Sequence, residues 1–305
     1  MKAEVGYAHN KAEARDLLAK GYEPIECCFG NESVVGDFKL DHHGPYASQL
    51  PVSLIAHRHA RDLNFKPLTK IAFTGKPDPD CVYAGLVMTR TIHTHSLIAQ
   101  AIAALDENSI GIDQTEGYYL RVVAFRMQAP TKRSLHAHQI ALGIGERVFS
   151  FTALSPAMIQ DALTYESQRA GRATKALVRV QDDVALVHSD EDSRDLWHRN
   201  LASLVVQYKP KQHVITFSGC KPQAVWRLRT RGVQRESITS LLGEKGLFHH
   251  YAALDELFGK EGSGGRADIG GSPQNHKATE QDAKHVFHFF TRLTQQRPPQ
   301  QAAIS

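Results

Sequence analysis

The chain has 305 residues, of which 42% are hydrophobic and 22% are charged, and its formal net charge is +4. This composition is typical of a globular protein, and the length predicts two domains. No segment approaches the ~20 consecutive apolar residues needed to cross a bilayer, so no membrane partner is expected. The small net charge argues against coating of a long nucleic acid, although local basic clusters can still bind phosphates.

The N-terminus and the cysteines favour a cytoplasmic protein. Residues 1–7 lack the basic and then apolar pattern of a secretory signal. The four cysteines have no metal-ligand spacing, and the adjacent Cys27 and Cys28 lie on an apolar segment, as buried reduced cysteines do. The 17 histidines are an unusually high number, and histidine serves both as a proton carrier near neutral pH and as a metal ligand.

The first half of the chain predicts helices alternating with short strands. Pro77 and Pro79 are expected to prevent a helix from beginning before Asp80. Acidic residues directly follow three of the apolar runs, and these are Asp41, Asp78 with Asp80, and Asp113. The predicted helices are 12–20, 52–64, 81–89 and 96–105, and the predicted extended segments are 24–29, 34–40 and 71–74.

The second half predicts a helix, a hairpin and further strands. Residues 119–127 and 139–143 are expected to be extended or half-buried. A period of two places Arg227, Arg229 and Arg231 on one face of a strand, and a glycine-rich loop follows at 262–273. The other predicted elements are a connecting helix over 156–170, a hairpin around 181–183, a helix over 193–208, strands over 214–217 and 224–231, and a helix over 279–293.

These elements predict an α/β fold with a doubly wound, mostly parallel sheet domain and a smaller α/β substrate-binding domain. The expected divisions are a metal-binding catalytic domain over 1–155, a connecting helix over 156–173, a substrate-binding domain over 174–294 and a disordered tail over 295–305. Open α/β sheets bind ligands at the carboxyl ends of their strands, so the acidic clusters are expected to meet there.

The acidic clusters predict a metal site. The candidate ligands combine oxygen and nitrogen donors, and they are Asp41, His42, Asp78, Asp80 and Asp113. Such a set suits Mn²⁺, with Mg²⁺ as the alternative ion. One or two such ions activate water and neutralise the charge of a reacting phosphate, which is the chemistry of phosphoester hydrolysis. The competing interpretation is a chance triplet together with a proline-flanked acidic turn.

Asp41-His42-His43 resembles the triplet for which the DHH phosphoesterase superfamily is named. These manganese-dependent enzymes include oligoribonucleotide exonucleases, cyclic-dinucleotide phosphodiesterases and inorganic pyrophosphatases. The segment Pro77-Asp78-Pro79-Asp80 is similar to the first motif of the family, and Asp113 is similar to one of its isolated metal-binding aspartates. The resemblance covers residues 37–293.

The resemblance implies roles for particular residues. His43, Asp41 and Asp80 would form the catalytic set, with His43 orienting or protonating. The second half is similar to the DHH-associated C-terminal domain, and its Gly-Gly-Arg-Ala-Asp segment at 264–268 resembles the version found in alanyl-tRNA synthetases. The residues that would bind substrate are Arg227, Arg229, Gly264, Gly265, Arg266 and His276. A solvated strand edge and a plain flexible turn are the alternatives for the arginines and the loop.

Two departures from the family pattern stand out. The Pro-Asp-Pro-Asp motif follows Asp-His-His instead of preceding it, so the order resembles a circular permutation. Thr74 occupies the position, four residues before Asp78, at which the family has a metal-binding histidine. His93 or His95 would have to replace that ligand, or one metal position would be weakened.

The predicted function is hydrolysis, by metal-activated water, of phosphodiester bonds in short oligonucleotides, cyclic dinucleotides or related nucleotides. The expected partner is therefore a nucleotide or short oligonucleotide, and a homodimer is compatible with the sequence. Two alternatives stay open. One is a catalytically weakened relative that binds nucleotide or RNA, and the other is a small-molecule phosphatase or pyrophosphatase with the same metal site and another pocket.

Overall fold

The computed structural model describes residues 3–29, 32–46, 49–106, 117–150, 152–191, 194–220, 236–273 and 275–296. The chain is a mixed α/β protein whose sheets contain parallel strands. Its described residues group into two compact units, the first made of 3–106 with 117–166 and the second of 167–296 without the gaps. Within these ranges, none of the helices combines the length and the apolar character required to cross a membrane.

The first unit contains a small parallel sheet surrounded by helices. Its elements are β1 (Glu4–Tyr7), α1 (Lys11–Ala19), β2 (Glu23–Pro24), β3 (Cys28–Phe29), β4 (Glu32–Ser33), α2 (Val52–Ala60), β5 (Lys70–Phe73), α3 (Pro79–Met88), α4 (Ser96–Asp106), α5 (Gly117–Gln128), α6 (Leu135–Phe149) and the first half of α7 (Pro156–Ala176). The sheet has the order β1-β5-β2, with β5 parallel to both neighbours. The carboxyl ends of all three strands therefore lie at one edge of the sheet.

Close packing holds α3 against both the sheet and α6. A Cβ atom added at Gly85 of α3 would lie 2.8 Å from the ring of Phe73 on β5, so only glycine allows this approach. At Gly145 of α6 an added Cβ atom would lie 2.8 Å from Leu86 and Val82 of α3. Since protein interiors are close-packed, these contacts hold α3 rigidly between sheet and α6.

The second unit contains a six-stranded sheet. Its elements are the second half of α7, β6 (Leu177–Gln181), β7 (Val184–His188), α8 (Arg194–Asn200), β8 (Leu204–Lys209), β9 (Val214–Gly219), α9 (Ile238–Leu242), α10 (Tyr251–Phe258), β10 (Gly264–Gly265), β11 (Ile269–Gly271) and α11 (Glu280–Gln295). The strand order is β10-β11-β9-β8-β7-β6, antiparallel except for β7 and β8. Phe287 and Phe290 of α11 pack with Leu186 and Phe217 in the core of this unit.

Several secondary-structure predictions are wrong, and one of them is the extended segment over 34–40, which has a turn at 37–38 and no strand. Residues 119–127 and 139–143, expected to be extended, lie in α5 and α6. Helix α5 is buried continuously over 119–125, and a helix buried on every side lacks the polar face that identifies it in a sequence. The helix predicted over 193–208 ends at Asn200 and is followed by β8, because Leu204, Val205 and Val206 fill the cores on both faces of the sheet.

Glu23 holds the segment that leads to the Asp-His-His triplet. The N–H groups of Asp37 and Phe38 donate to its carboxylate at 3.2 and 3.1 Å, and the side chain belongs to a residue that is only 7% exposed. Burial raises the pKa of Glu23 to about 7, despite the two backbone hydrogen bonds that lower it. The protein thus carries a carboxylate that resists ionisation and yet anchors a loop.

The raised pKa of Glu23 predicts that the free energy of unfolding decreases as pH rises. The pKa of Glu23 in the folded protein lies above the value of 4.5 for the unfolded chain. The contribution of Glu23 to the free energy of unfolding is therefore fully present below pH 4.5 and is lost as pH rises through about 7. The loss amounts to about 3 kcal/mol in the free energy of unfolding. We expect Glu23→Gln to reduce the decrease between pH 5 and pH 8 by about this amount, measured by urea denaturation in EDTA.

The other buried carboxylates are the same in the wild type and in Glu23→Gln. The difference between the two pH profiles of the free energy of unfolding is therefore due to Glu23. Asp16→Asn, which changes an exposed carboxylate on α1, is the control and should leave the pH profile unchanged. Identical pH dependence in wild type and Glu23→Gln would contradict the prediction.

Candidate metal centre

The Asp-His-His triplet lies beside the carboxyl end of β2. The N–H of Ile25 donates to Ala72 O of β5, and the N–H of Glu26 donates to Leu40 O, both at 2.8 Å. The second bond holds the residue preceding Asp41 against Glu26. Glu26 has φ of 52°, in the left-handed region, which turns the chain out of the strand at this point.

The proline-flanked acidic motif forms the beginning of α3. Asp78 is the N-cap, with the N–H of Cys81 donating to its Oδ1 at 2.9 Å, and Pro79 is the first helical residue. The expectation that the prolines would delay the helix beyond Asp80 is wrong, because a proline has no N–H to leave unpaired in the first turn. Asp80 therefore projects from the first turn, one residue after Pro79.

Asp80 receives two backbone hydrogen bonds from another helix. The N–H groups of Val52 and Ser53, at the beginning of α2, donate to Asp80 Oδ2 and Oδ1 at 2.8 and 2.9 Å. The N-cap residue of α2 is Pro51, whose side chain makes no capping bond. The Asp80 carboxylate supplies that cap instead, and the helix dipole favours its negative charge.

His42 lies among three carboxylates. Its Nε2 atom is 2.9 Å from Glu26 Oε1, 3.3 Å from Asp106 Oδ2 and 3.8 Å from Asp80 Oδ2. The His42 side chain is 3% exposed, so water screens little of this charge. A single ring nitrogen carries at most one hydrogen. That hydrogen cannot donate a good hydrogen bond to all three surrounding carboxylates.

Asp41 and His43 form a hydrogen-bonded pair next to this group. The backbone N–H of His43 donates to Asp41 Oδ1 at 2.9 Å, and His43 Nδ1 lies 3.1 Å from the same oxygen. The Ser33 hydroxyl donates to His43 O at 3.5 Å. Asp41 is fully buried, yet its Oδ2 atom has no hydrogen-bond partner among the described residues. An unpaired buried carboxylate oxygen indicates a missing cation or donor.

The electrostatics of the cluster favour a bound cation. Burial, with the nearby Asp106 and Asp78, raises the pKa of Asp80 to about 8. Burial and the surrounding carboxylates raise the pKa of Glu26 well above its usual range, and burial also raises that of Asp78. At Asp41 burial acts upward, but hydrogen bonds from His43 and the Ser33 side chain leave its pKa lowered. A divalent ion would relieve the repulsion that causes the upward shifts.

Three overlapping sets of side chains could hold a metal ion. In each set the donor atoms lie within 4.8 Å of one another. The sets, found among the described residues, are Glu26 with His42 and His43, Glu26 with Asp78 and Cys81, and His42 with Asp80 and Asp106. Their oxygen, nitrogen and sulfur atoms are of the kinds that bind metal ions.

Three members of the cluster, Glu26, Cys81 and Asp106, are absent from the predicted ligands. Glu26 follows the apolar end of β2, and the same pattern of an acid after a strand, which selected Asp41 and Asp78, could have found it. Asp106 is the last residue of α4, and no motif surrounds it. Its role depends on the direction of a whole helix, which sequence alone does not specify.

The remaining predicted site residues lie either outside the described residues or in the second unit. Asp113, Arg227 and Arg229 lie outside the described residues. In the second unit, Gly264 and Gly265 form β10, the guanidinium of Arg266 lies 3.2 Å from Asp268 Oδ2, and His276 Nε2 lies 3.3 Å from Asp282 Oδ2. These contacts show Arg266 and His276 in local pairs.

The position of the expected family histidine provides no metal ligand. The Thr74 hydroxyl donates to Ala8 O at 2.8 Å, a contact between β5 and β1. Of the proposed replacements, His93 is exposed and the ring of His95 stacks on Tyr118 at 5.0 Å. Neither histidine belongs to the three donor sets found in the described part of the chain.

Comparison with known proteins adds no relationship. No protein-family model matches the sequence, and no curated protein matches it. The geometry of the cluster and the resemblance of its motifs are therefore the observations that bear on function.

Asp41 provides a test of the metal centre. We expect Asp41→Asn to weaken Mn²⁺ binding at least ~10-fold, measured by calorimetry on EDTA-treated protein, because it removes a charged donor. The asparagine oxygen can still accept the His43 N–H, so the metal-free free energy of unfolding should change by only about 1 kcal/mol.

Asp37→Asn is the matched control, since this exposed carboxylate lies four residues earlier on the same segment. It should bind Mn²⁺ as the wild type does. Equal Mn²⁺ affinity in wild type and Asp41→Asn would show that Asp41 is not a ligand of the metal centre.

Proposed function

We propose that the protein is a divalent-metal-dependent phosphoesterase that hydrolyses short oligonucleotides, cyclic dinucleotides or related nucleotides. The observation that carries the proposal is the meeting of Asp41, His42, Asp78 and Asp80 in one buried cluster with Glu26. Two separate motifs that resemble one enzyme superfamily thus contribute donors to the same place, although their order in the chain is reversed.

The fold supports the proposal. A parallel sheet with its ligands at the carboxyl edge is the usual arrangement of doubly wound α/β proteins, and we assign the first unit to that class. In such sheets residues from distant strands meet at one edge, so a permuted motif order can yield the same site. We assign the second unit, with its glycine-containing β10 and Arg266, to substrate binding.

The metal would contribute the central chemistry. When bound, a divalent ion such as Mn²⁺ or Mg²⁺ lowers the pKa of water and neutralises the charge on a phosphate group. The residues that would hold it are Asp41, His42, Asp78 and Asp80, together with Glu26 and Asp106. Their oxygen and nitrogen donors are those that Mn²⁺ accepts.

His43 is suited to proton exchange with the substrate. Its side chain is 36% exposed, unlike that of the deeply buried His42. A neutral His43 that donates from Nδ1 to Asp41 Oδ1 would carry its acceptor lone pair on Nε2. Asp41 would thus orient the ring and fix its tautomer, and His43 would receive or supply a proton at Nε2.

Asp78→Asn tests catalysis without loss of the helix cap. Asparagine caps helices as well as aspartate does, so α3 should be retained. We expect kcat/KM for Mn²⁺-dependent release of mononucleotides from a short oligonucleotide to decrease by roughly 100-fold or more, since a metal ion contributes several kcal/mol of transition-state stabilisation.

Asp62→Asn is the control, because that carboxylate is exposed and accepts a local bond from the N–H of Asn64. Wild-type turnover in the absence of divalent ions, or full activity in Asp78→Asn, would exclude the proposed mechanism. Bis(p-nitrophenyl) phosphate and pyrophosphate in parallel assays would separate the phosphodiesterase from the pyrophosphatase.

Thr74 favours a second candidate function. Its hydroxyl is used between β1 and β5, so a donor expected by resemblance is missing, and catalysis could be lost while nucleotide binding persists. The same assay separates the two candidates. Tight binding of an oligonucleotide without turnover in Mn²⁺ would indicate a nucleotide-binding relative.

A further inference from the structure

Cys81 lies at the metal centre, although its spacing from the other cysteines gives no indication of a ligand. It is 2% exposed, and it follows Asp80 in the first turn of α3. Its Sγ atom lies 3.5 Å from Asp78 O, and its backbone N–H donates to Asp78 Oδ1 at 2.9 Å. The Sγ atom, a Glu26 oxygen and an Asp78 oxygen all lie within 4.8 Å of one another.

The surroundings of Cys81 independently indicate a cation. Asp41 Oδ2 is buried without a hydrogen-bond partner among the described residues, and the Asp41 charge is near enough to Glu26 to raise its pKa. Glu26 is shared between the set that contains Cys81 and the set that contains the two histidines. His42 in turn belongs to the third set, with Asp80 and Asp106, so the Cys81 set is connected to the oxygen and nitrogen donors through Glu26 and His42.

We propose that Glu26, Asp78 and Cys81 form a thiolate-containing position that takes a thiophilic divalent ion such as Zn²⁺, Fe²⁺ or Co²⁺. His42, Asp80 and Asp106 then form the harder oxygen and nitrogen position, suited to Mn²⁺ or Mg²⁺. This inference depends on the metal centre of the proposed function and names the class of ion at one of its positions.

The chemistry follows from ligand softness. Thiolate sulfur selects zinc, iron and related ions over manganese and magnesium, whereas carboxylates accept both classes. As the ion binds, the Cys81 S–H bond breaks, the metal–sulfur bond forms and the proton passes to solvent. No electron is transferred, and the ion keeps its oxidation state.

Cys27 offers a matched control within the same unit. It is also fully buried, but its Sγ atom lies 3.7 Å from Ala72 O and 3.9 Å from Ile25 O. It belongs to none of the donor sets in the described ranges. Removing this thiol changes a buried cysteine close to the centre without removing a ligand.

Cobalt substitution tests the proposal directly. We expect Co²⁺ added to the EDTA-treated full-length protein to give a near-ultraviolet charge-transfer absorption, which only a sulfur ligand produces. Cys81→Ser should lose this band, and Cys27→Ser should keep it. In competition experiments, Cys81→Ser should also reduce the preference for Zn²⁺ over Mn²⁺ at least ~10-fold.

Serine differs from cysteine by one atom and is compatible with the first turn of a helix, and circular dichroism would verify that Cys81→Ser is folded. Absence of the band in wild type, its persistence in Cys81→Ser or its loss in Cys27→Ser would overturn the thiolate assignment. These readouts do not use activity. A cobalt protein without the band could still be a phosphoesterase, and a protein with the band could fail every hydrolysis assay.

Discussion

The first unit depends on one electrostatic constraint, the concentration of carboxylates around the buried His42. Three carboxylate oxygens lie within 3.8 Å of its Nε2 atom, and the His42 side chain is almost inaccessible to water. Like charges in such an environment are costly unless protons or cations neutralise them. Burial first, and the neighbouring carboxylates second, raise the pKa values of Glu26, Asp78 and Asp80.

Backbone hydrogen bonds maintain the arrangement against that repulsion. Leu40 is bonded to Glu26, the segment before it is anchored by Glu23, and Asp78 caps the helix that carries Asp80. Each bond joins the cluster to the sheet or to the beginning of a helix. The carboxylates therefore remain together because the surrounding fold is rigid, and the preorganised donors would meet an ion with little rearrangement.

The sequence predicted the part of the cluster that local pattern controls. Asp41, His42, Asp78 and Asp80 could be selected because acids and histidines follow apolar strands, and the strands at 71–74 and 214–217 were found in the same way. Asp106 could not be selected, since its place depends on how α4 crosses the unit. Helix α5 was missed for a related reason, because its burial removes the polar face that a period of 3.6 would show.

The double use of Asp80 has a wider consequence. Its carboxylate replaces the missing side-chain cap of α2 and also faces His42. One residue therefore both stabilises a helix and belongs to the candidate metal centre. Selection for folding alone would preserve an aspartate here whether or not the cluster binds an ion. In any descendant of this chain, retention of Asp80 would consequently be a poor marker of a metal centre, whereas retention of Asp41, whose Oδ2 atom has no hydrogen-bond partner among the described residues, would be a better one.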